Sequence, residues 1–203
     1  MLLNINSDNP DERKIKQVIE CLQDGGIIIY PTDTVYGIGC DITKFKAIEK
    51  ICQIKGVKVQ KANLSFICYD LSQLADFTLP FNKSIYKLMN RNLPGPFTFI
   101  LKGNNNLPKF FKKKKTVGIR VPDNNIARTI VRELGNPLLS TSLKIEDDIS
   151  EYLTDPYEIH ETFENLVDIV IDGGYGDNRV STVIDCTNNE IEIIREGKGE
   201  LIQ

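Results

Sequence analysis

The apolar run Ile27-Ile28-Ile29-Tyr30 leads directly into Pro31-Thr32-Asp33-Thr34-Val35-Tyr36-Gly37-Ile38-Gly39, and no other stretch constrains this chain as strongly. Four consecutive apolar residues before a proline read as a buried strand, which ends where proline cannot donate to a central ladder. Three small polar side chains follow, then an aromatic, then two glycines that let the backbone come close to another group. The plainest reading is strand, tight turn, strand, since turns use these residue types.

The rest of the chain alternates helical and strand patterns. Asn9 is placed to cap a helix, with Pro10 at its first position and Glu12 completing a capping box. Ile15, Val18, Ile19 and Leu22 share one face, and Gly25-Gly26 stops it. A second strand is expected near 36–40, then a helix carrying Ala47, Ile48, Ile51 and Cys52 to about Lys55. Strands are read at 64–69, 97–101, 116–121, 137–142, 167–172, 181–186 and 191–195. Helices are read around Ile85–Met89, around Ile126–Leu134 and from Asp155-Pro156 onward. Early alternation with a strand-rich end predicts an α/β fold with a mixed sheet. At 203 residues and 41% hydrophobic, the chain is expected to form a single domain over 1–203.

No apolar run approaches the ~20 residues that span a bilayer. The N-terminus has no basic region followed by a long apolar stretch, so a cytoplasmic protein is expected. Five cysteines (21, 40, 52, 68 and 186) without Cys-x-x-Cys spacing argue against a disulfide framework or zinc site and read as small core hydrophobes. His160, the only histidine, lies in an acidic stretch and reads as a surface residue. The net charge of −3 conceals a split: −4 over residues 1–43, +14 over 44–132 and −13 over 133–203. A basic middle suggests a face for phosphates or nucleic acid, against which stands a set of solvated helix faces. The run Lys109-Phe110-Phe111-Lys112-Lys113-Lys114-Lys115 is either a loop that contacts RNA, through Lys112, Lys113, Lys114 and Lys115, or a solvated one.

The chain carries no GxxxxGK[ST] loop and no GxGxxG fingerprint. Cations that could hold an anion are Lys55, Lys58, Arg120 and Arg195, with hydroxyls at Thr32, Thr34, Ser140, Ser142 and Ser181. Arg120 and Arg195 lie in apolar strand patterns, so each needs a partner, either a bound anion or a structural carboxylate.

Several short stretches follow one another along the chain: the nonapeptide at 31–39, Lys55-Gly56, Pro94-Gly95-Pro96-Phe97-Thr98, Gly118-Ile119-Arg120-Val121-Pro122, Leu139-Ser140-Thr141-Ser142, Ser181-Thr182-Val183-Ile184-Asp185 and Arg195-Glu196-Gly197. Together the set resembles the YrdC/YciO-like family, which includes threonylcarbamoyl-AMP synthases. The resemblance implies a YrdC-like twisted mixed sheet with flanking helices around a concave, positively lined cavity. It also implies a reaction in which L-threonine and bicarbonate form a carbamate that attacks the α-phosphate of ATP, releasing pyrophosphate, in tRNA threonylcarbamoyladenosine modification. Mg2+ is expected as an accompanying ion. By that resemblance Lys55 and Ser142 are catalytic. Thr34 and Tyr36 lie beside the threonine moiety, while Thr32, Lys58, Arg120, Ser140, Ser181 and Arg195 complete the substrate and nucleotide site. Two departures stand out. Lys-x-Arg reads Lys55-Gly56-Val57, and Ser-x-Asn reads Ser142-Leu143-Lys144, which looks like the YciO-like branch. Lysine cannot reproduce a bidentate guanidinium grip, and it donates where asparagine also accepts. The alternatives are an RNA-binding protein (tRNA or double-stranded RNA) without synthase activity, or a hydrolase of carbamoyl-adenylates using the same pocket.

Overall fold

The computed structural model describes residues 1–59, 61–108, 115–143 and 152–202. Ten strands form one sheet: β1 (Leu2–Asn4), β2 (Ile28–Tyr30), β3 (Gly37–Asp41), β4 (Ser65–Ile67), β5 (Phe97–Lys102), β6 (Thr116–Arg120), β7 (Leu138–Ser142), β8 (Ile169–Asp172), β9 (Thr182–Asp185) and β10 (Glu192–Arg195). Their order is β1-β8-β2-β3-β7-β4-β6-β5-β9-β10. β1 and β2 flank β8 in parallel, and β4–β6 and β5–β9 are also parallel. The other five neighbouring pairs are antiparallel. The mixed sheet read from the sequence is therefore present. The helices are α1 (Glu12–Gln23), α2 (Phe45–Ile54), α3 (Lys83–Asn92), α4 (Asn125–Leu134) and α5 (Pro156–Phe163), with a 3-10 turn at Leu71–Asp76.

Alternation along the strands sorts the core into two layers. Ile28 and Tyr30 of β2 pack with Ile15, Val18 and Leu22 of α1 and with Ile126 and Ile130 of α4. Ile29 faces the other way, into the larger core that holds Ile48 and Ile51 of α2, Ile85 and Met89 of α3, and Ile159 and Phe163 of α5. β5 and β6 send Phe97, Phe99, Val117 and Ile119 into that larger core. Their alternate residues face the other side, where a cavity opens.

Two local readings needed correction. α1 begins two residues later than expected, because Asp11 is its cap and accepts from the N–H groups of Arg13 and Lys14, both at 3.0 Å. Asn9 belongs to a preceding turn and donates its N–H to Asn6 Oδ1 at 3.2 Å. β1 has no counterpart in the sequence reading, since three residues are too few to show a period. Gly135, which ends α4, takes φ +76°, the left-handed conformation that a helix stop demands. No helix among the described residues is long and apolar enough to cross a membrane. The five cysteines are unbridged, and Cys40, Cys52, Cys68 and Cys186 are buried. Burial pushes the Cys68 thiol up to about 12, which leaves it protonated and inert.

Candidate functional site

The signature turn 31–36 is held by its own hydroxyls. Thr32 Oγ1 donates to the Val35 carbonyl at 2.8 Å and accepts the Thr34 N–H at 3.0 Å. Thr34 Oγ1 lies 3.1 Å from Thr32 Oγ1 and accepts from Arg120 Nη2 at 3.0 Å. Arg120 Nη2 also donates to Asp33 Oδ1 at 3.0 Å, and Asp33 Oδ2 accepts the Asp123 N–H at 3.0 Å. A structural carboxylate thus partners Arg120, as one of the two readings required. Arg120 Nε is buried without a hydrogen-bond partner among the described residues.

Beside this turn opens a cavity of about 550 Å³, lined by Thr34, Lys55, Arg120, Ser142, Ser181 and Arg195 together with Val57, Lys61, Ser65, Thr98, Thr116 and Thr141. Lys55 follows α2 directly, and its Nζ donates to the Ser142 carbonyl at the end of β7 at 3.3 Å. Arg195, at the end of β10, donates through Nε and Nη2 to the Ser181 carbonyl at 3.1 and 2.8 Å. Its Nη2 also reaches Ser181 Oγ at 3.1 Å, and Ser181 Oγ lies 2.8 Å from Thr98 Oγ1. No described carboxylate pairs with Arg195. Partial burial lowers its pKa from the ordinary value; Tyr152 opposes that shift and Arg120 adds to it by repulsion. Period two on β5 and β6 places Thr98, Ile100, Thr116, Gly118 and Arg120 on the cavity face.

Six of the residues singled out from the sequence therefore meet in one hollow: Thr34, Lys55, Arg120, Ser142, Ser181 and Arg195. The others stand elsewhere. Thr32 lies on a shallow neighbouring groove with Asp33, Thr154, Tyr175, Asp177 and Lys198. Tyr36 is fully buried, and its hydroxyl donates to the Gly174 carbonyl at 2.7 Å. Burial raises that phenol to about 12. Ser140 is buried, accepts from the Tyr30 hydroxyl at 2.6 Å and donates to the Ile38 carbonyl at 3.2 Å. Lys58 is exposed and outside the lining. Lys112, Lys113, Lys114 and Lys144 lie outside the described residues, and Lys115 is exposed at the foot of β6.

The glycines of the signature do allow a close approach, and the group that approaches is the Tyr30 ring. A Cβ on Gly37 would sit 3.1 Å from both Ser140 Oγ and the Tyr30 ring, and one on Gly39 would meet the Leu139 carbonyl at 2.8 Å. They make room for Tyr30. The sequence reading missed Lys61 and the Thr98–Ser181 pair. The signal for Thr98 was present, because it alternates with the core residues Phe97 and Phe99. His160 is half-buried on α5 and outside the lining.

The lining has four cations, seven hydroxyls and no carboxylate or imidazole among its described residues. No group of three or more metal-ligating side chains occurs among the described residues. Among the described residues, the lining therefore offers no carboxylate set to Mg2+.

Fold and site together define an α/β protein with one cavity whose described lining combines lysines, arginines and hydroxyls. Residues 20–197 match the Sua5/YciO/YrdC family, described as "Telomere recombination", and the chain belongs to it. The uncharacterized protein YciO of Escherichia coli K12 is 42% identical over 200 residues, covering 97% of this chain and 95% of that protein. The threonylcarbamoyl-AMP synthase of Bacillus subtilis is 30% identical over 189 residues, covering 92% of this chain but 54% of that enzyme. Among solved structures, E. coli YciO superposes with a TM-score of 0.91 at 40% identity, covering 98% of this chain and 97% of that one. P. abyssi Sua5 complexed with L-threonine gives 0.87 at 26% identity, covering 97% of this chain and 57% of that one.

Proposed function

We propose that this cavity binds L-threonine, bicarbonate and ATP and forms threonylcarbamoyl-AMP. The observation that carries the reading is the convergence of Thr34, Lys55, Arg120, Ser142, Ser181 and Arg195 from six separate chain segments on one hollow. Its volume of about 550 Å³ falls in the roughly 300–1,000 Å³ range of small-ligand sites. Kinship with threonylcarbamoyl-AMP synthases supports the same reading. A carbamate oxygen attacks the α-phosphorus of ATP, the bond to the β-phosphate oxygen breaks, and pyrophosphate leaves with that electron pair. The step needs alignment and neutralised phosphate charge more than a protein nucleophile. Lys55, Lys61 and Arg195 supply cations. Any Mg2+ would be held mainly by the triphosphate oxygens, whose charge it would neutralise. Incubating the protein at high concentration with ATP and bicarbonate is expected to release pyrophosphate only when L-threonine is added. Release independent of threonine, or none, overturns the reading.

One observation favours a second reading. Val57 occupies the cavity wall where synthases carry arginine, and Lys58, the nearest replacement, lies outside it. A pocket that grips the triphosphate less firmly could act on a finished carbamoyl-adenylate by hydrolysis. Under that reading, supplied threonylcarbamoyl-AMP disappears faster with the protein than in buffer, and equal rates eliminate it. The RNA-binding proposal concerns Lys112–Lys115. It predicts tRNA affinity that weakens steeply with salt, and a salt slope unchanged by neutral substitutions there dismisses that loop.

A further inference from the structure

Helices α3 and α5 carry opposite charge on their outward faces. α3 buries Ile85, Leu88 and Met89 in the larger core, and α5 buries Ile159 and Phe163 there. They stand at opposite ends of one helical layer. α5 packs on β8, the second strand of the sheet, and α3 leads through residues 93–96 into β5, the eighth. α2 packs on β3, between them in the sheet order. No residue of α3 or α5 lines the cavity.

The outward face of α3 shows Lys83, Lys87 and Arg91, all exposed. No Asp or Glu occurs between Asp76 and Asp123, and none of the three cations has an ion pair among the described residues. Like charges four residues apart each weaken a helix by about 0.2–0.5 kcal/mol. Lys83 also opens the helix, where positive charge opposes the helix dipole. α5 is the inverse. Glu158, Glu161 and Glu164 are exposed, and no Lys or Arg occurs between Lys144 and Arg179. Their one ion-pair partner among the described residues is His160, 3.6 Å from Glu164. Glu161 lies in the last turn and Glu164 caps it, where negative charge opposes the dipole. Both helices give up stability of their own to carry these charges. An exposed aromatic accompanies each helix of the layer: Phe45 on α2 is 50% exposed, Tyr86 on α3 48% and Tyr157 on α5 62%.

We infer that this layer is the contact between two copies of the chain, related by a two-fold axis that sets α3 of each on α5 of the other. A two-fold contact needs a surface that complements itself. A layer that is basic at one end and acidic at the other meets that need, because a half-turn brings both basic helices onto acidic ones. Tyr86 and Tyr157 enter the same contact, and tyrosine is enriched in the buried centres of interfaces. RNA is the competing occupant of a basic helix. Laid along this layer, however, RNA would run toward the α5 carboxylates and leave them unpaired, whereas a second copy matches both ends. The cavity stays outside the contact, so the inference stands apart from the function proposed above.

Sedimentation velocity of the full chain over a concentration series reads the association. Raising ionic strength from about 0.01 to about 1 M shortens the screening length from about 30 to about 3 Å and is expected to weaken a dimer by about tenfold or more. A monomer at every concentration in low salt, or a dimer indifferent to salt, overturns the inference. Two charge-reversed chains then locate the contact. Lys83→Glu with Lys87→Glu and Arg91→Glu makes both helices acidic. Glu158→Lys with Glu161→Lys and Glu164→Lys makes both basic. Each chain, folded by circular dichroism, is expected to be monomeric alone, and their equimolar mixture to form a one-to-one dimer. Self-association of either reversed chain, or a mixture that stays monomeric, overturns the inference. Should the reversals prevent folding, the neutral pair Lys83→Gln with Lys87→Gln is expected to weaken the dimer, and an unchanged dimer overturns it. A monomeric wild type that binds RNA, with affinity lost on reversing α3 alone, would give the basic face to RNA and overturn it as well.

Discussion

Ser140 and Ser142 lie two apart on β7, yet they have different work. Ser142 lines the cavity, whereas Ser140 is 4% exposed and receives the proton of a fully buried tyrosine, Tyr30, at 2.6 Å. Burial, more than this hydrogen bond, sets the Tyr30 phenol, which is raised to about 12. Ser140→Ala leaves that hydroxyl without an acceptor and is expected to cost about 1–3 kcal/mol of stability, measured by urea unfolding. Ligand affinity of the folded variant should not change. If affinity falls while stability holds, Ser140 belongs to the site after all. Lys198 gives a second residue-level case. Its Nζ donates to the Asp33 carbonyl at 2.6 Å and sits 2.9 Å from Asp177 Oδ2, joining the C-terminal tail to the signature turn and to the loop after β8. Burial raises the Asp177 carboxyl, but the Lys198 bond, the Arg179 N–H and the two cations outweigh it and hold its pKa below the ordinary 3.8. A carboxyl depressed in the folded state stabilises above its unfolded pKa and loses that contribution as pH falls through the folded pKa. Lys198→Met is therefore expected to be less stable by up to about 1 kcal/mol at pH 7, with the gap narrowing as pH drops below 3.8. Melting curves at pH 7 and pH 3 check this, and a gap that is constant or grows in acid would contradict it.

At the level of elements, β2 was legible as an unbroken apolar run buried on both faces, β5 as an alternation of Phe97, Phe99 and Leu101 with outward residues, and the helices because their apolar residues recur on one side. What was not legible is how neighbouring elements sit against one another. Tyr36 and Ser140 look like site residues in the sequence. Ser140 is buried because Gly37 and Gly39 open a space that the Tyr30 ring fills, which depends on the β2–β3–β7 register, whereas Tyr36 enters the larger core on the opposite face and packs against Gly176. Lys58 and Lys61 are equivalent in the sequence, but the chain turns between them, with the Lys61 N–H on the Lys58 carbonyl at 2.8 Å. That turn brings Lys61 to the cavity wall and leaves Lys58 in solvent. The start of α5 at Asp155-Pro156 was read correctly, but that of α1 was not, since Asn9, Pro10 and Asp11 all suit an N-terminus and only the backbone path selects Asp11. Asp11→Ala is expected to cost about 1 kcal/mol in chemical denaturation. Asn9→Ala is expected to leave the helix content and the start of α1 unchanged, and equal losses in both variants would contradict the assignment of the cap.

Across the whole molecule, the cavity is the part of the sheet that the helices leave open. α1 and α4 cover one face over β2, β7 and β8, and the hollow occupies the continuation of the same face toward β4, β6, β5 and β9, closed at its rim by α2 and β10. Its cations come from Lys55 and Lys61 after α2, Arg120 on β6 and Arg195 on β10. These segments are distant in sequence, so the segment charges of −4, +14 and −13 say little about the wall until the strands are ordered. Once they are, Val57 is one of several apolar side chains on the wall, and the one that stands at the arginine position of Lys-x-Arg. If the family's chemistry runs here, that residue limits it, because an ammonium at Lys58 cannot reach the same place or form the same fork. Val57→Arg is then expected to raise threonine-dependent pyrophosphate release by about tenfold, the worth of one charge-assisted hydrogen bond in the transition state. Val57→Leu, which enlarges the side chain without adding charge, should give no gain. Initial rates of pyrophosphate release at saturating ATP, threonine and bicarbonate compare the three proteins. Equal rates in wild type and Val57→Arg, with the variant folded, would mean that the missing guanidinium is not what separates this chain from the synthases. The weight would then pass to consumption of a preformed carbamoyl-adenylate, where the same substitution should slow loss of the adenylate by holding it longer in the cavity.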